Sequence, residues 1–207
     1  MHRIGSSFER LAKTGVRSAE RQGKSVAVQV QGEQICVPKG PLDELWSTLA
    51  HLVRNAVAHG IEPAHERVAA GKTQEGNIIL CAQVDESTLK LSVSDDGRGI
   101  DWQALARKVA ADGGEPANDN HVELLFREGA STAELSDLAG RGVGMSAVRQ
   151  AVLAVGGTID VTSRPGHGTT FEIAVPVGKD VYVPAPELPL VMPYRSRNPP
   201  RISVAAG

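Results

Sequence analysis

One stretch with helical periodicity, residues 45–60 (L-W-S-T-L-A-H-L-V-R-N-A-V-A-H-G), carries two different faces. At about 100° per residue, its apolar face consists of Leu45, Leu49, Leu52 and Ala56. A polar face lies beside it, made of His51, Asn55 and Ala58, with Arg54 and His59 at its flanks. The apolar face predicts packing against a sheet. A solvated surface is the simplest interpretation of the polar face, but asparagine is a poor helix former that prefers caps and turns.

Three glycine-rich elements follow this helix: residues 95–99 (D-D-G-R-G), 140–144 (G-R-G-V-G) and 166–170 (G-H-G-T-T). Glycine lets backbone N–H groups approach an anion, because no Cβ stands in the way. The second element opens a predicted helix, whose free amides and dipole favour phosphate. Each element alone is typical of an ordinary turn. Three of them after an asparagine-bearing helix are hard to obtain by chance.

The composition narrows the classes of partner. The chain has 207 residues, 41% hydrophobic and 22% charged, which predicts one globular domain with a short extra segment. The net charge of -2 argues against bulk attraction to nucleic acid or to an anionic membrane. Aromatic residues are only 3% while glycine numbers 22, which favours binding loops built from backbone over stacking platforms for single-stranded nucleic acid.

The termini and the cysteines indicate a cytoplasmic protein. The first ten residues lack the apolar run of a signal peptide, and no segment approaches the length of a membrane span. Cys36 and Cys81 each lie in an apolar run outside any CxxC pair, so we expect buried thiols in a reducing compartment. The histidines expected at the surface are His2, His65 and His121.

Local signals predict alternating helices and strands. The predicted helices cover residues 6–21, 41–59, 63–70, 101–111, 121–126 and 145–155. The predicted strands cover 25–30, 34–37 as its hairpin partner, and the hairpins 77–84 with 88–94 and 157–163 with 169–177. The expected fold class is α+β, a two-layer sandwich with a mixed, mostly antiparallel sheet and helices on one face. We expect a leading amphipathic helix at 1–22, the main domain at 23–178, and a Pro-rich linker or disordered tail at 179–207.

These motifs together resemble the ATP-binding domain of the GHKL superfamily, and within it the CheA-type chemotaxis histidine kinases. The resemblance covers residues 8–177 and implies a Bergerat-type ATP-binding fold. The matching segments are 51–60 (N box), 94–100 (G1 box), 124–132 (F-box region), 140–145 (G2 box) and 166–170 (G3 region). The details that favour the CheA type are G-I-E after His59, R-V-A-A-G-K at 67–72, S-T-A-E and G-R-G-V-G-M.

The resemblance implies ATP and Mg2+ as ligands and assigns roles to individual residues. Asn55 would ligate Mg2+ through its amide oxygen, and Asp95 would accept a hydrogen bond from the exocyclic amine of adenine. The other implied ATP-binding residues are His59, Gly97, Gly99, Ile100, Gly140, Gly142, Val143, Gly144, Met145, Thr169 and Thr170, with a lid at about residues 113–138. His51 would orient or deprotonate the attacking imidazole or contact the γ-phosphate, and Arg54 would contact phosphate; a hydrogen-bonded helix histidine is the alternative for His51.

The implied activity is that of a protein-histidine kinase in two-component signalling. Its partners would be a histidine phosphotransfer domain, in cis or in trans, and then a response regulator, with a homodimer allowed in a full-length kinase. No segment resembles a phosphotransfer helix, and the chain has Ala58 where the family usually has an acid and Ala130 where it usually has a large apolar residue. Two alternatives stay open: a GHKL serine kinase of the anti-sigma type, and a non-catalytic nucleotide-sensing module.

Overall fold

The computed structural model describes residues 1–38, 40, 42–111, 121–126, 145–178 and 181. The helices are α1 Ile4–Arg21, α2 Asp43–Asn55, α3 Ala64–Ala69, α4 Trp102–Ala111, α5 His121–Leu125 and α6 Met145–Ala154, and a π-helix, Ala56–Gly60, continues α2. The strands are β1 His2–Arg3, β2 Val26–Gln31, β3 Cys36–Val37, β4 Gly76–Asp85, β5 Thr88–Asp95, β6 Thr158–Arg164 and β7 Gly168–Pro176. The predicted helices agree with these bounds to within a few residues.

Five strands form one mixed sheet in the order β2-β4-β5-β7-β6. β2 and β4 are parallel, whereas the other three neighbouring pairs are antiparallel. The two predicted hairpins, β4 with β5 and β6 with β7, are confirmed. The predicted α+β sandwich with a mixed, mostly antiparallel sheet is therefore also confirmed.

The hydrophobic core lies between one face of this sheet and the helices. Strand residues alternate in burial, so that Ile78, Leu80 and Ala82 of β4 face the core while the residues between them do not. The apolar face predicted for α2 is buried here, with Leu45 and Leu52 fully covered. α1 contacts both α2 and β2 and contributes to the same core. The domain limits at residues 22/23 and 178/179 stay predictions.

The predicted hairpin between residues 25–30 and 34–37 is wrong. β3 pairs instead with β1 at the start of the chain, and β2 takes β4 as a parallel neighbour. The first amides of α1 explain the exchange: Ile4 N donates to Ile35 O at 2.8 Å, and Gly5 N donates to Glu33 O at 2.9 Å. Amides at a helix N-terminus have no partner inside the helix, so these carbonyls satisfy them and draw residues 33–37 toward the chain start.

Three further expectations about burial need correction. Cys36 and Cys81 are free thiols, as expected, but both are only half-buried. Cys81 lies on the face of β4 that points away from the helices, which is why it is not in the core. His2 is half-buried rather than on the surface, and its Nε2 lies 2.8 Å from Ser7 Oγ.

Candidate nucleotide site

The polar helix face, defined here as His51 and Asn55 of α2, is half-buried. The two residues are one helical turn apart and therefore share a face. Asn55 Nδ2 donates to Met145 Sδ, at the start of α6, over 3.5 Å. Because this contact occupies the amide nitrogen, Asn55 Oδ1 is the group left to accept or to ligate. The structure thus places two predicted site residues together that are far apart in the sequence.

The π-helix Ala56–Gly60 follows α2 and changes the direction of the chain. Ile61 N donates to Ala56 O at 2.7 Å, a bond from residue i+5 to residue i. Lys24 Nζ donates to two carbonyls of the same turn, Val57 O at 2.7 Å and Ala58 O at 3.1 Å. A cation at this end satisfies carbonyls that the helix leaves open and favours its dipole. No local sequence pattern indicates this role of Lys24.

The glycine junction is the place where the backbones of Gly60, Gly97, Gly99 and Gly168 meet Asp95 and Thr169. Arg98 N donates to Gly60 O at 2.9 Å. A Cβ added at Gly97 would lie 2.2 Å from the Gly60 carbonyl carbon and oxygen. A Cβ at Gly168 would lie 1.8 Å from Asp95 O. Both glycines are therefore required by close backbone approach.

Asp95 lies inside the glycine junction at the end of β5. Gly97 N donates to Asp95 Oδ1 at 2.9 Å, and the backbone N–H of Thr169 donates to the same carboxyl group. Burial raises the pKa of Asp95 to about 6, helped by the charges of Asp96 and Glu62 and opposed by the two N–H donors. At neutral pH the group is thus a carboxylate held in place by backbone donors, with lone pairs left for a ligand.

Ser163 joins two of the glycine segments, and sequence reasoning missed it. Its Oγ accepts from Ile100 N at 2.8 Å, donates to Gly168 O at 3.0 Å, and lies 3.0 Å from Thr169 Oγ1. Gly99 has a φ of +73°, and a Cβ there would lie 2.4 Å from Arg164 O. A serine at the end of a strand carries no distinguishing pattern, so only the tertiary structure identifies this contact.

Thr169 and Thr170 face opposite sides of β7. Thr169 is buried and pairs with Asp95 in the strand register. Thr170 Oγ1 donates to Ser94 Oγ at 3.0 Å on the far face of the sheet. The side chain of Thr170 therefore lies on the face of the sheet away from Thr169, and its place at the border of an adenine pocket stays a prediction. Strand alternation separates the two neighbours.

The histidines of this region carry little charge at neutral pH. Burial lowers the pKa of His51 below 6.5, and the charges of Arg54 and His59 lower it further. Burial likewise lowers the pKa of His59, with help from Lys24 and Arg98. A neutral imidazole retains a lone pair that accepts a proton or a hydrogen bond. Arg54 is exposed at the edge of the polar helix face, and His59 beside it is only partly covered.

Some predicted site residues lie outside the described part of the chain: Gly140, Gly142, Val143 and Gly144. Most of the predicted lid also lies outside it, apart from residues 121–126. In the described ranges, no group of three or more His, Cys, Asp or Glu side chains could hold a metal ion. Nor does any helix in those ranges combine the length and apolarity needed to cross a bilayer.

The donors that are present fit Mg2+. This ion prefers hard oxygen ligands and usually reaches a protein through one or two side chains plus substrate phosphates and water. Asn55 Oδ1 is such an oxygen, because Met145 engages the other end of the amide.

Comparisons with known proteins identify the family. Residues 42–179 match the family of histidine kinase-, DNA gyrase B- and HSP90-like ATPases. The chain is 38% identical to the chemotaxis protein CheA of Rhizobium meliloti (strain 1021) over 178 residues, covering 82% of this chain and 23% of that protein. It is 33% identical to the gliding motility regulatory protein of Myxococcus xanthus over 210 residues, covering 91% of this chain and 27% of that protein. The chain thus spans about a quarter of the length of these relatives.

A solved structure shows the same fold. The histidine kinase domain of the Erythrobacter litoralis EL346 blue-light activated histidine kinase superposes with a TM-score of 0.53 at 21% identity. The match covers 86% of this chain and 62% of that chain. The match over residues 42–179 agrees with the polar helix face and the glycine junction described above. The chain therefore belongs to the histidine kinase-, DNA gyrase B- and HSP90-like ATPase family, as an ATP-binding domain of the CheA type.

Proposed function

We propose that this domain is the catalytic domain of a CheA-like histidine kinase, which transfers the γ-phosphate of Mg-ATP to a histidine on a separate phosphotransfer domain. One observation carries the proposal. The C-terminal part of a single element, α2 with its π-helix, presents Asn55 and, at the end of the π-helix, places Gly60 against Asp95. That arrangement offers an oxygen for a phosphate-bound metal and a carboxylate for a base.

The glycine junction would bind adenine. The Asp95 carboxylate would accept from the exocyclic amine, while the backbone around Gly97 and Gly99 lets the ring approach closely. A buried site built to pair with a ligand N–H rejects analogues that lack it, because its own acceptor is then left without a partner. Thr169, buried beside Asp95, would border the same pocket.

The polar helix face would bind the triphosphate end. Asn55 Oδ1 would hold Mg2+, which neutralises phosphate charge when it is bound. Gly140, Gly142, Val143 and Gly144 would supply backbone amides to the phosphates, with Met145 at the start of α6 and Ile100 near the base. Arg54 and His59, exposed at the edge, would contact phosphate.

The transfer itself requires positioning and charge stabilisation. A lone pair of the acceptor imidazole forms the new P–N bond while the bond from the γ-phosphorus to the β,γ-bridging oxygen breaks, and ADP leaves with that electron pair. The acceptor imidazole must lose its proton. His51 is neutral at pH 7 and would accept that proton or orient the acceptor through a hydrogen bond.

The pathway follows from the same proposal. The phosphotransfer domain, in cis or in trans, would pass the phosphoryl group to a response regulator in chemotaxis-like signalling in the cytoplasm. The CheA name of the relatives and the family match support this pathway. A homodimer of the full-length kinase would bring the catalytic domain of one copy to the acceptor of the other.

Ala58 favours a second candidate, a module that senses nucleotide without catalysis. The residue is half-buried on the polar side of the π-helix, where the resemblance leads us to expect an acid. Without that carboxylate, the site has one group fewer to hold water or metal beside the phosphates. Nucleotide would then act by changing the conformation of the domain.

Labelled nucleotide distinguishes the candidates. The domain is mixed with γ-labelled ATP, Mg2+ and a histidine phosphotransfer domain, and the label on the acceptor is tested for acid lability. We expect acid-labile label, as phosphohistidine requires. Acid-stable label would instead support a serine kinase of the anti-sigma type. Tight ATP binding without transfer would support the sensing module.

A further inference from the structure

A buried cluster of charges lies directly behind the glycine junction, and the proposed chemistry does not use it. Arg67 of α3 is only 1% exposed. Its Nε donates to Thr73 O at 2.8 Å, its Nη1 donates to Glu62 Oε2 at 3.0 Å and Asp96 O at 3.4 Å, and its Nη2 donates to Asp96 Oδ2 at 2.9 Å and Glu75 O at 3.3 Å. All five N–H donors of the guanidinium group therefore have partners.

Lys72, in the loop between α3 and β4, is the second cation of the cluster. Its Nζ donates to Glu62 Oε1 at 2.8 Å, to Asp96 O at 2.9 Å and to Gly97 O at 2.7 Å. An ammonium group has three donors, and all three are used. Two of these three hydrogen bonds go to backbone carbonyls of one turn, those of Asp96 and Gly97.

Glu62 links the two cations, since each of its carboxylate oxygens accepts from one of them. Burial is the largest single influence on its pKa and raises it, but the Lys72 hydrogen bond, a backbone N–H and the charges of Lys72 and Arg67 together hold that pKa below its usual value. Asp96 closes the cluster, because its carboxylate also accepts from Asn77 N at 2.9 Å and Asn77 Nδ2 at 3.2 Å. The charges of the two cations and the two carboxylates cancel, and each N–H donor of the two cations has an acceptor.

The turn at Asp96 and Gly97 also fixes the Asp95 carboxylate. The amide that donates to Asp95 Oδ1 belongs to Gly97, whose own carbonyl accepts from Lys72. Asp96 O and the Gly97 N–H belong to the same peptide group, so loss of the Lys72 hydrogen bonds to Asp96 O and Gly97 O would let that group rotate and would move the N–H. We propose that Lys72 and Arg67, linked by Glu62, are positioning residues that fix the Gly97 amide and so aim the Asp95 carboxylate at the amino group of the nucleotide base. This inference rests on the proposed function.

Replacement of Lys72 tests the inference more cleanly than replacement of Arg67. The Lys72 side chain is 18% exposed, whereas loss of the fully buried Arg67 would remove an ion-pair partner from both Glu62 and Asp96. The test variant is Lys72→Met, which keeps most of the unbranched side chain and removes its three donors. Lys90→Met is the matched control, because Lys90 pairs with Asp85 at 2.8 Å on an exposed hairpin end away from the site.

Two nucleotides separate positioning from general stability. Affinities for ATP and for purine riboside triphosphate, which lacks the 6-amino group, are measured by calorimetry for each variant. Lys72→Met should lower the affinity for ATP about tenfold and the affinity for the analogue no more than about threefold. The reason is that only ATP has an amino group to donate to the Asp95 carboxylate. Lys90→Met should leave both affinities unchanged. An equal loss for both nucleotides, or no loss for ATP, would overturn the inference.

A readout without nucleotide keeps the test independent of the proposed function. In the ligand-free domain, amide hydrogen exchange at Gly97 should become about tenfold faster in Lys72→Met and stay unchanged in Lys90→Met. If Lys72→Met does not fold, Glu62→Gln takes its place, because the amide keeps the shape while removing the charge that links the cations. Unchanged exchange at Gly97 would overturn the inference. Failure of the wild-type domain to bind either nucleotide would instead contradict the proposed function.

Discussion

The glycine junction and the polar helix face are built in different ways. In the glycine junction, Asp95 is surrounded by backbone: Gly60, Gly97 and Gly168 approach so closely that a Cβ would clash. On the polar helix face, Asn55 contacts a soft sulfur atom at 3.5 Å, and Arg54 at the edge of that face lies exposed. One region is fixed before any ligand arrives, and the other keeps solvated side chains.

The difference indicates a division of labour. A rigid acceptor surrounded by backbone is suited to recognising one base edge, because little reorganisation accompanies binding. Solvated polar groups are suited to charged phosphates, whose position must change during transfer. We therefore expect substitutions in the glycine junction to remove binding or folding, and substitutions on the polar helix face to remove chemistry.

The largest effect should come from Asp95→Asn. The asparagine side chain would present an N–H toward the amino group of adenine if its oxygen keeps the Gly97 N–H, so two donors would meet. We expect ATP affinity to fall at least about a hundredfold, equivalent to about 2.7 kcal/mol. Calorimetric titration measures this loss, and the far-ultraviolet circular dichroism should be unchanged. Affinity within about threefold of wild type would show that Asp95 does not read the base.

Asn55→Asp should separate binding from transfer. The carboxylate changes the charge at the phosphates and loses the N–H that contacts Met145. We expect ATP affinity within about tenfold of wild type and a phosphotransfer rate lowered about a hundredfold, or about 2.7 kcal/mol at the transition state. Single-turnover kinetics with labelled ATP gives both quantities. A variant that retains transfer would contradict the proposed metal role of Asn55.

Gly97→Ala should break the glycine junction sterically. The added Cβ would lie 2.2 Å from the Gly60 carbonyl, and the facing atoms are backbone that cannot step aside. We expect a loss of about 2 kcal/mol in the free energy of unfolding. Gly71→Ala is the control, because nothing lies within 4 Å of its added Cβ although its φ is +76°. The control should cost about 1 kcal/mol. Chemical denaturation compares the two, and equal losses would mean that the close approach at Gly97 is not a constraint.

The last expected effect is a dependence of the free energy of unfolding on pH. The folded-state pKa of Asp95, about 6, lies above its usual 3.8, so the folded state binds this proton more tightly than the unfolded state. Stability therefore falls as pH rises between those values, and the full cost is present above about pH 6. Asp95→Asn lacks that charge, so we expect its stability relative to wild type to rise by about 2 kcal/mol between pH 4.5 and pH 7.5. A difference independent of pH would contradict the raised pKa.

Local patterns explain what the sequence predicted well. The apolar face of α2 and the two hairpins depend on residues that are near one another in the sequence. The three glycine elements were also visible, and two of them meet at Asp95 in the structure. The third, residues 140–144, lies outside the described residues, so its role stays a prediction.

Long-range contacts explain what the sequence missed. The parallel pairing of β2 with β4 depends on where the chain returns after α2 and α3, and no local signal encodes it. Burial of Arg67 depends on Glu62 and on Asp96, which lies 29 residues away. A charged residue on a short helix is usually solvated, so no local pattern indicates the burial of Arg67. The side chain of Thr170 lies on the far face of the sheet because side chains alternate along a strand.

The most direct test is a crystal structure of this domain with Mg2+ and a non-hydrolysable ATP analogue. We predict that the adenine amino nitrogen lies about 2.7–3.2 Å from an Asp95 carboxylate oxygen. In the same structure, Mg2+ should be ligated by Asn55 Oδ1 and by phosphate oxygens. A nucleotide bound with its base away from Asp95, or a metal ion that does not touch Asn55, would contradict the account.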